Sequence, residues 1–343
     1  MTETGRRSST GGDPVCAITM PSDPILEVDT LSVSFVTDAG RASVVEDVSF
    51  TLQPGETVGL VGESGCGKSV TAMSIMRLIP SPPGHVEGGR ILFQGDDILT
   101  LKTVEMRAVR GDRIGMIFQE PMTSLNPTFS IGYQVAEVFR VHRGMDMAAA
   151  RREAVDILSM VGIGAAERRL DQYPHELSGG LRQRTMIAMA LACRPDILIA
   201  DEPTTALDVT VQAQILDLLR RLQTELGMSV LLISHDLGIV AEVCERVLVM
   251  YAGRIVEQAA VGELFRYPRH PYTAGLLASS PRIGKRRPTL PTIPGMVPAP
   301  GQRGPGCYFA DRCPRVMDHC RTQTPPLSAG AVEHAVACWN PAP

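Results

Sequence analysis

The sequence predicts an α/β fold with a largely parallel central sheet, on two observations. First, short apolar runs rich in β-branched residues alternate with helical patterns, which is typical of βαβ units. These runs lie at residues 57–61, 114–118, 197–200, 230–234 and 246–250. Second, a glycine-rich loop that ends in Lys-Ser follows the first run and precedes a helical pattern at residues 70–79. A glycine-rich loop that connects a strand to a helix is the usual context of a phosphate-binding site.

The N-terminal residues differ from the rest of the chain. Residues 1–24 are rich in Gly, Ser, Thr and Pro without apolar periodicity, so we expect a flexible tail there. From Ile25 onward, mostly alternating apolar positions predict a half-buried strand. Met20 stands close before that strand and is therefore a candidate for the working start of the protein.

Composition excludes several classes of protein. The chain has 343 residues, of which 44% are hydrophobic and 20% charged, which fits a folded protein of about two domains rather than a disordered one. No apolar stretch approaches the roughly 18 residues that a membrane span needs. A net charge of -4 argues against nucleic acid as the main partner. Eight cysteines are too dilute for a disulfide scaffold.

Two further segments stand out along the chain. The region around residues 133–170 combines helical patterns with few β-branched residues, which predicts a helical subdomain inserted at about residues 128–184. After Pro281, prolines and glycines crowd the chain up to Gly306, which indicates a linker. The predicted organisation is a nucleotide-binding domain at residues 25–264 followed by a small extension at residues 265–343.

The glycine-rich loop at residues 62–69 fits the P-loop pattern Gly-x-x-x-x-Gly-Lys-Ser completely. Its backbone N–H groups and the helix N-terminus are suited to phosphate oxygens. Lys68 is expected to reach the β- and γ-phosphates of ATP, and the Ser69 hydroxyl to bind Mg²⁺. A chance glycine loop is the alternative, but strand, loop and helix all agree with the motif. The predicted nucleotide-binding residues here are Gly62, Ser64, Gly65, Cys66, Gly67, Lys68, Ser69 and Val70.

Three more strand ends carry candidate catalytic groups. The run at 197–200 ends in Asp201 and Glu202, where Asp201 is expected to hold Mg²⁺ through water or Ser69 and Glu202 to polarise the attacking water. His235 follows the run at 230–234 and is a candidate contact to the γ-phosphate. Gln119 follows the run at 114–118 and would reach the metal or the water. Alone, each could be an ordinary surface residue, and only the P-loop gives them weight.

Together with a Ser-Gly-Gly segment, these residues resemble the ATP-binding-cassette (ABC) ATPases. Ser178, Gly179 and Gly180 match the signature of that family, and Asp208 ends a further family turn. All the motifs occur in the family's order over about residues 25–250. Leu181 is a departure, because many members carry glutamine there. Phe35 matches the aromatic residue that stacks on adenine, although a core phenylalanine is a serious alternative.

The resemblance implies an architecture and a partner. It implies a P-loop NTPase (RecA-like) core with an antiparallel β-subdomain, an inserted helical subdomain and here a small cysteine-containing C-terminal extension. It also implies that Ser178, Gly179 and Gly180 close over ATP bound by a second ATPase subunit, so a heterodimer is expected.

The later sequence is similar to that of one subfamily. Residues 265–273, 293–295 and 120–127 resemble ATPases that serve oligopeptide, dipeptide or nickel importers. In these importers two related ATPases work with two transmembrane permease subunits and an extracytoplasmic binding protein. The resemblance implies ATP-driven import of peptides, with this subunit bound peripherally at the cytoplasmic face of the inner membrane. Import of nickel or another small solute, an exporter, and a soluble cassette protein without a transport role are the alternatives.

Four cysteines lie close together in the extension, at Cys307, Cys313, Cys320 and Cys338. Five, six and seventeen residues separate them, so we expect one metal centre that staples a segment with little core of its own. Disulfides are disfavoured in a reducing cytoplasm. Zinc sites usually contain a closely spaced Cys pair, which is absent here, whereas iron–sulfur clusters accept more varied spacing. The expected cofactors are therefore ATP, Mg²⁺ and a [4Fe–4S] cluster, with Zn²⁺ as the alternative.

Overall fold

The computed structural model describes residues 23–38, 40–120, 124–205, 207–279, 291–329 and 334–342. The tail expected at residues 1–24 and the start proposed at Met20 lie almost wholly outside this part of the chain. The predicted α/β fold with a P-loop core is confirmed: the described strands form one eight-stranded sheet and one four-stranded sheet.

The strands are β1 Leu26–Thr37, β2 Gly40–Leu52, β3 Thr57–Val61, β4 Gly84–Phe93, β5 Asp96–Asp97, β6 Ile114–Ile117, β7 Ile197–Asp201, β8 Ser229–Ser234, β9 Arg246–Tyr251, β10 Arg254–Ala260, β11 Ser328–Ala329 and β12 Ala335–Val336. The helices are α1 Lys68–Ile75, α2 Thr103–Val109, α3 Ile131–Arg143, α4 Met147–Met160, α5 Ala166–Arg169, α6 Gly179–Leu191, α7 Val209–Leu226, α8 Leu237–Val243, α9 Val261–Arg266, α10 Pro271–Ser279 and α11 Asp318–Thr322. Short 3-10 helices lie at Pro174–Glu176 and Ala310–Arg312.

The larger sheet has the strand order β11-β12-β10-β9-β3-β8-β7-β6. Its five strands from β9 to β6 are parallel to one another. Neighbouring residues of these strands are buried on opposite faces: Leu60 packs in one hydrophobic cluster and Val61 in the other. Burial on both faces explains why the strands are continuous apolar runs rather than alternating ones.

The smaller sheet is antiparallel, with the order β2-β1-β4-β5. Its apolar residues, such as Leu26 and Phe50, share one core with Leu60 of β3 and Ile233 of β8. The other face of the parallel strands packs on the helices α3, α4, α6 and α7, through residues such as Val135 and Leu219. Strand β3 is therefore held between two cores, and this fixes the loop that follows it.

The helix after the P-loop differs from its predicted range of 70–79. It begins at Lys68, because Gly67 at its N-terminus has a left-handed backbone with φ of 109°. It ends at Ile75, and Arg77 shortly beyond has a positive φ of 50°, a conformation that terminates helices. The lysine and serine of the motif therefore belong to the first turn of the helix.

The extension joins the larger sheet. Strand β12 pairs antiparallel with β10, and β11 pairs with β12. The boundary proposed between residues 264 and 265 falls within helix α9. The division of the chain into domains stays a prediction, as do the limits of the helical subdomain at 128–184. Within the described ranges, no helix has the length and apolarity that crossing a membrane requires.

Candidate functional site

The loop at residues 62–67 connects β3 to α1 and is tightly packed at two glycines. A Cβ atom at Gly62 would lie 2.2 Å from the carbonyl oxygen of Met250, so no side chain fits there. At Gly67 a side chain would be strained by the positive φ of 109° and would lie 3.2 Å from the Val44 carbonyl oxygen. Gly65 also has a positive φ, of 77°, and has open space around it. Such a backbone can turn its N–H groups toward a phosphate.

Lys68 is 5% exposed and points back into the loop. Its Nζ atom donates to the carbonyl oxygens of Gly62 at 2.8 Å and Glu63 at 3.1 Å. These two bonds hold the ammonium group at the centre of the loop, where an anionic ligand would meet it. A lysine so placed can neutralise phosphate charge, as the motif predicts.

Asp201 ends β7 and fits a Mg²⁺ site. Its side chain is hydrogen-bonded to Ser69, while its Oδ1 atom is buried without a hydrogen-bond partner among the described residues. Burial raises the pKa of Asp201, and the neighbouring charge of Glu202 adds to that rise. A buried carboxylate oxygen without a donor, beside a serine hydroxyl, is the ligand chemistry that Mg²⁺ prefers. The residues present therefore fit the ion that the P-loop motif implies.

Glu202 directly follows β7, and side chains from the ends of three strands contact it. Its Oε2 atom accepts hydrogen bonds from Gln119 Nε2 at 3.1 Å and Thr205 Oγ1 at 2.9 Å, and lies 3.2 Å from His235 Nδ1. Burial opposes ionisation of this carboxyl, but the hydrogen bonds from His235 and Thr205 and the charges of His235 and Lys68 outweigh it and lower the pKa of Glu202. An ionised carboxylate held by several donors can orient a water molecule.

The strand order explains why these side chains meet. Strands β3, β8, β7 and β6 are adjacent and parallel, so their carboxyl ends lie at one edge of the sheet. The P-loop, His235, Glu202 and Gln119 follow these four strands in that order. The structure therefore brings together the residues that the sequence singled out at strand ends.

The signature residues begin a helix of their own. The Ser178 hydroxyl caps α6 by accepting from Leu181 N at 3.4 Å, and Gly179 and Gly180 form the first turn. Buried Gln183 of the same helix donates to the Pro203 carbonyl at 2.5 Å, which ties the signature helix to the turn after Glu202. The N-terminus of α6 has the backbone N–H groups and dipole that suit an anion.

The remaining predicted nucleotide residues have structural contacts of their own. Asp208 caps α7 by accepting from Val211 N at 3.0 Å. Phe35 is partly buried on β1 against the core of the smaller sheet, as is Val70 of α1 against the same core. The Cys66 side chain is fully buried, and burial raises the pKa of its thiol. Contact of Phe35 with adenine and of Asp208 with nucleotide both remain predictions.

The four cysteines of the extension line one small cavity, together with residues such as His270 and Trp339. All four are free thiols. The sulfur of Cys313 accepts from Arg315 N at 3.4 Å, and those of Cys307 and Cys338 accept from the backbone N–H two residues further on. Burial raises the pKa of Cys307 to about 11, and the other three thiols add to that rise. Backbone N–H donors to sulfur are typical of iron–sulfur and zinc sites.

The thiols are nevertheless not arranged as a ready metal site. Within the described part of the chain, no group of three or more His, Cys, Asp or Glu residues has a geometry that could hold a metal ion. The chemistry of the donors fits a cluster, whereas their present positions do not support one. The [4Fe–4S] centre and the Zn²⁺ alternative therefore remain proposals.

Sequence reasoning missed three residues at this site. Thr205 donates to Glu202, and the extension supplies Tyr272 and Arg312, which both contact Glu63 of the P-loop. Thr205 stands close after Asp201 and Glu202 and could have been found from that proximity. The contacts to Glu63 bridge 209 and 249 residues of chain, so no local pattern indicates them.

This fold and this arrangement of strand-end residues define a nucleotide-hydrolysing cassette, and comparison with known proteins agrees. The family model described as ABC transporter matches residues 45–205. A second, described as the oligopeptide/dipeptide transporter C-terminal region, matches residues 256–320.

Curated relatives match nearly the whole chain. Peptide import ATP-binding proteins named in Brucella abortus and Brucella ovis are each 52% identical over 330 residues, covering 93% of this chain and 98% of theirs. A peptide ABC transporter ATP-binding protein named in Sinorhizobium fredii is 52% identical and covers 93% of this chain and 96% of its own. The chain belongs to the ABC transporter ATP-binding family, and it is an ATPase of that class.

Solved structures share the cassette. An ATP-binding cassette seen as a dimer in a post-hydrolysis state with ADP and phosphate has a TM-score of 0.62 and 28% identity, covering 69% of this chain and 98% of that one. A Clostridium perfringens protein that is part of an ABC transporter complex has a TM-score of 0.60 and 30% identity, covering 71% of this chain and 92% of its own.

Proposed function

We propose that this chain is the ATP-hydrolysing subunit of a peptide importer. The observation that carries the proposal is the combination of a complete nucleotide-binding edge with an oligopeptide/dipeptide transporter C-terminal region at residues 256–320. Named relatives at 52% identity over most of the chain support peptides as the cargo class. Nickel or another small solute is the second candidate, because the sequence resemblance of the extension includes nickel importers.

Each predicted residue at the carboxyl ends of strands β3, β8, β7 and β6 has a proposed role. The P-loop backbone and Lys68 bind the phosphates. Ser69 and Asp201 would hold Mg²⁺, which would neutralise the charge that develops on the phosphates. Glu202 orients the attacking water, since it is ionised and hydrogen-bonded on one oxygen by its neighbours. His235 and Gln119 fix the position of Glu202 and approach the γ-phosphate and metal.

The partners follow from the site and the extension. The N-terminus of α6, with Ser178, Gly179 and Gly180, is proposed to close over the nucleotide of a second, related ATPase subunit. Two transmembrane permease subunits and an extracytoplasmic solute-binding protein complete the importer, and this chain is bound to it peripherally at the cytoplasmic face of the inner membrane. A solved cassette that is dimeric with ADP and phosphate supports a shared nucleotide site.

Reconstitution tests the transport proposal. The chain is assembled with the proposed second ATPase, two permeases and binding protein, and uptake of labelled oligopeptides and of radioactive nickel is measured. We expect ATP-dependent peptide uptake that a Glu202→Gln variant abolishes. Uptake of nickel without uptake of peptide, or no uptake in a complex that still hydrolyses ATP, contradicts the proposal.

We also propose that Cys307, Cys313, Cys320 and Cys338 hold a [4Fe–4S] cluster, with Zn²⁺ as the alternative. The support is that four free thiols line one cavity and three of them receive backbone N–H donors. Such a centre would staple the extension, which otherwise has little regular structure. Iron and acid-labile sulfide are measured on anaerobically purified protein, with the four-site Cys→Ser variant as control. A colourless protein with stoichiometric zinc, or a four-site variant that folds and transports normally, contradicts it.

A further inference from the structure

The C-terminal extension holds the second residue of the P-loop at two points. The backbone N–H of Glu63 donates to the Tyr272 hydroxyl at 2.9 Å. The two carboxylate oxygens of Glu63 accept from the two terminal guanidinium nitrogens of Arg312, at 2.7 and 3.0 Å. Helix α10 supplies Tyr272 and the 3-10 helix at Ala310–Arg312 supplies Arg312. The P-loop is therefore fixed from outside the cassette core.

Arg312 is itself held in place. Its side chain is 5% exposed, and its Nε atom donates to the Pro294 carbonyl at 2.9 Å. The guanidinium carbon lies 5.7 Å from the ring centre of Tyr251 and 5.9 Å from that of Phe309. The hydrogen bonds to Glu63 raise the pKa of Arg312 above its ordinary value. A two-point arginine–carboxylate pair fixes direction as well as distance, so the position of Glu63 is strongly defined.

Glu63 also contacts the lysine of the motif. Its carbonyl oxygen accepts from Lys68 Nζ at 3.1 Å, so one residue connects the extension to the group that meets the phosphates. A P-loop binds phosphate with its own backbone, and a shift of that backbone alters several phosphate contacts at once.

We propose that Arg312 is a positioning residue for the P-loop: through Glu63, and together with Tyr272, it holds the loop in the shape that binds nucleotide. The extension thereby sets the affinity for Mg-ATP. Arg312 lies directly before Cys313, and a bond from Cys307 N to the Cys320 carbonyl joins the segment that carries it to helix α11. The proposal rests on ATP binding alone and requires neither the peptide cargo nor a metal at the cysteines.

The extension offers a matched control. Arg303 has a side chain that is also 5% exposed, and its Nη1 atom donates to Glu46 of β2 at 2.9 Å. It therefore ties the same extension to the same domain through a buried ion pair, but at a strand rather than at the P-loop. If general loosening of the extension were the cause of an effect, Arg303 and Arg312 would behave alike.

Equilibrium binding of Mg-ATP is measured on the full chain in a Glu202→Gln background, which prevents turnover. We expect Arg312→Met and Glu63→Gln each to weaken binding on the order of tenfold, a usual size for coupling between sites. The double variant should bind no more weakly than the weaker single variant, because both remove one interaction. Arg303→Met should stay within about twofold of the parent. With Glu202 restored in the assembled complex, KM for ATP should rise and kcat should change little.

Three results would overturn the proposal. One is a folded Arg312→Met protein that binds Mg-ATP as the parent does. Another is an equal loss in Arg303→Met. The third is a Glu63→Gln variant that binds Mg-ATP more tightly while Arg312→Met binds it more weakly. Opposite changes in affinity would show that the charge of these side chains near the phosphates sets the affinity, and not the position of the loop. If Arg312→Met does not fold, the affinity for Mg-ATP is measured instead in Glu63→Gln, which changes the loop, and in Tyr272→Phe, which changes helix α10. Unchanged affinity in both variants overturns the proposal.

Discussion

The Nδ1 atom of His235 lies 3.2 Å from the Oε2 atom of Glu202, across the ends of β8 and β7. The same oxygen also accepts from Gln119 and Thr205. Glu202 has a positive φ of 47°, an unusual conformation for a residue with a side chain. One carboxylate is thus held by neighbours from three loops, and this arrangement makes the catalytic proposal open to direct test.

Replacing Glu202 by glutamine should remove the group that orients water while keeping its size. We expect ATP hydrolysis in the assembled transporter to fall about 10²- to 10⁴-fold, with Mg-ATP binding retained. Lys68→Ala serves as the contrasting variant, because it should weaken binding itself. Near-normal turnover in Glu202→Gln would show that another group performs this role.

Hydrolysis should require a second subunit. If the α6 N-terminus completes a site in a partner, the purified chain should hydrolyse ATP poorly as a monomer and gain activity with the second ATPase and the permeases. Turnover is measured alongside the mass in solution. Full activity in a strictly monomeric sample contradicts a shared site.

Asp208 should matter to stability as well as to nucleotide binding. Its side chain caps α7, so Asp208→Ala should lower the free energy of unfolding by about 1 kcal/mol. Asp208→Asn keeps a capping oxygen and should be close to the parent in denaturant unfolding. If both variants lose the same stability, the cap is not the cause.

The stability of the junction between β2 and the extension should depend on pH. Burial opposes the ionisation of Glu46, but hydrogen bonds from Tyr308 and Ser43 and the charge of Arg303 outweigh it, so the pKa of Glu46 is lowered in the folded chain. A lowered folded pKa gives stability that is present above the ordinary value of 4.5 and is lost as pH falls through and below it.

Glu46→Gln should therefore remove part of the acid sensitivity. At pH 7 it should lower the free energy of unfolding by up to about 3 kcal/mol, since it leaves Arg303 buried without its partner. The loss should shrink as pH falls below the ordinary value. Unfolding is followed from pH 7 downward, with Glu87→Gln as an exposed control. A difference between Glu46→Gln and parent that does not vary with pH contradicts this account.

Local patterns indicated the chemistry of the cassette more reliably than the limits of its elements. The strand at residues 57–61 was predicted with its observed bounds, whereas the following helix begins and ends earlier than the apolar pattern suggested. Apolar periodicity does not show that Gly67 takes a left-handed conformation or that Arg77 does so at the other end. Such backbone states depend on contacts with distant strands, for example that of Gly67 with Met250.

The sequence by itself determined the cassette, because its phosphate loop, strand-end carboxylates and signature each occupy a few consecutive residues. It also indicated that four cysteines lie close along the chain in the extension, since their separations of five, six and seventeen residues can be read directly. Only the tertiary structure decided which neighbours surround Glu202, because the strand order joins Gln119, Glu202 and His235 across more than a hundred residues of chain. It alone decided that Arg312 forms an ion pair with Glu63, because a contact across 249 residues depends on how the extension packs and leaves no local pattern.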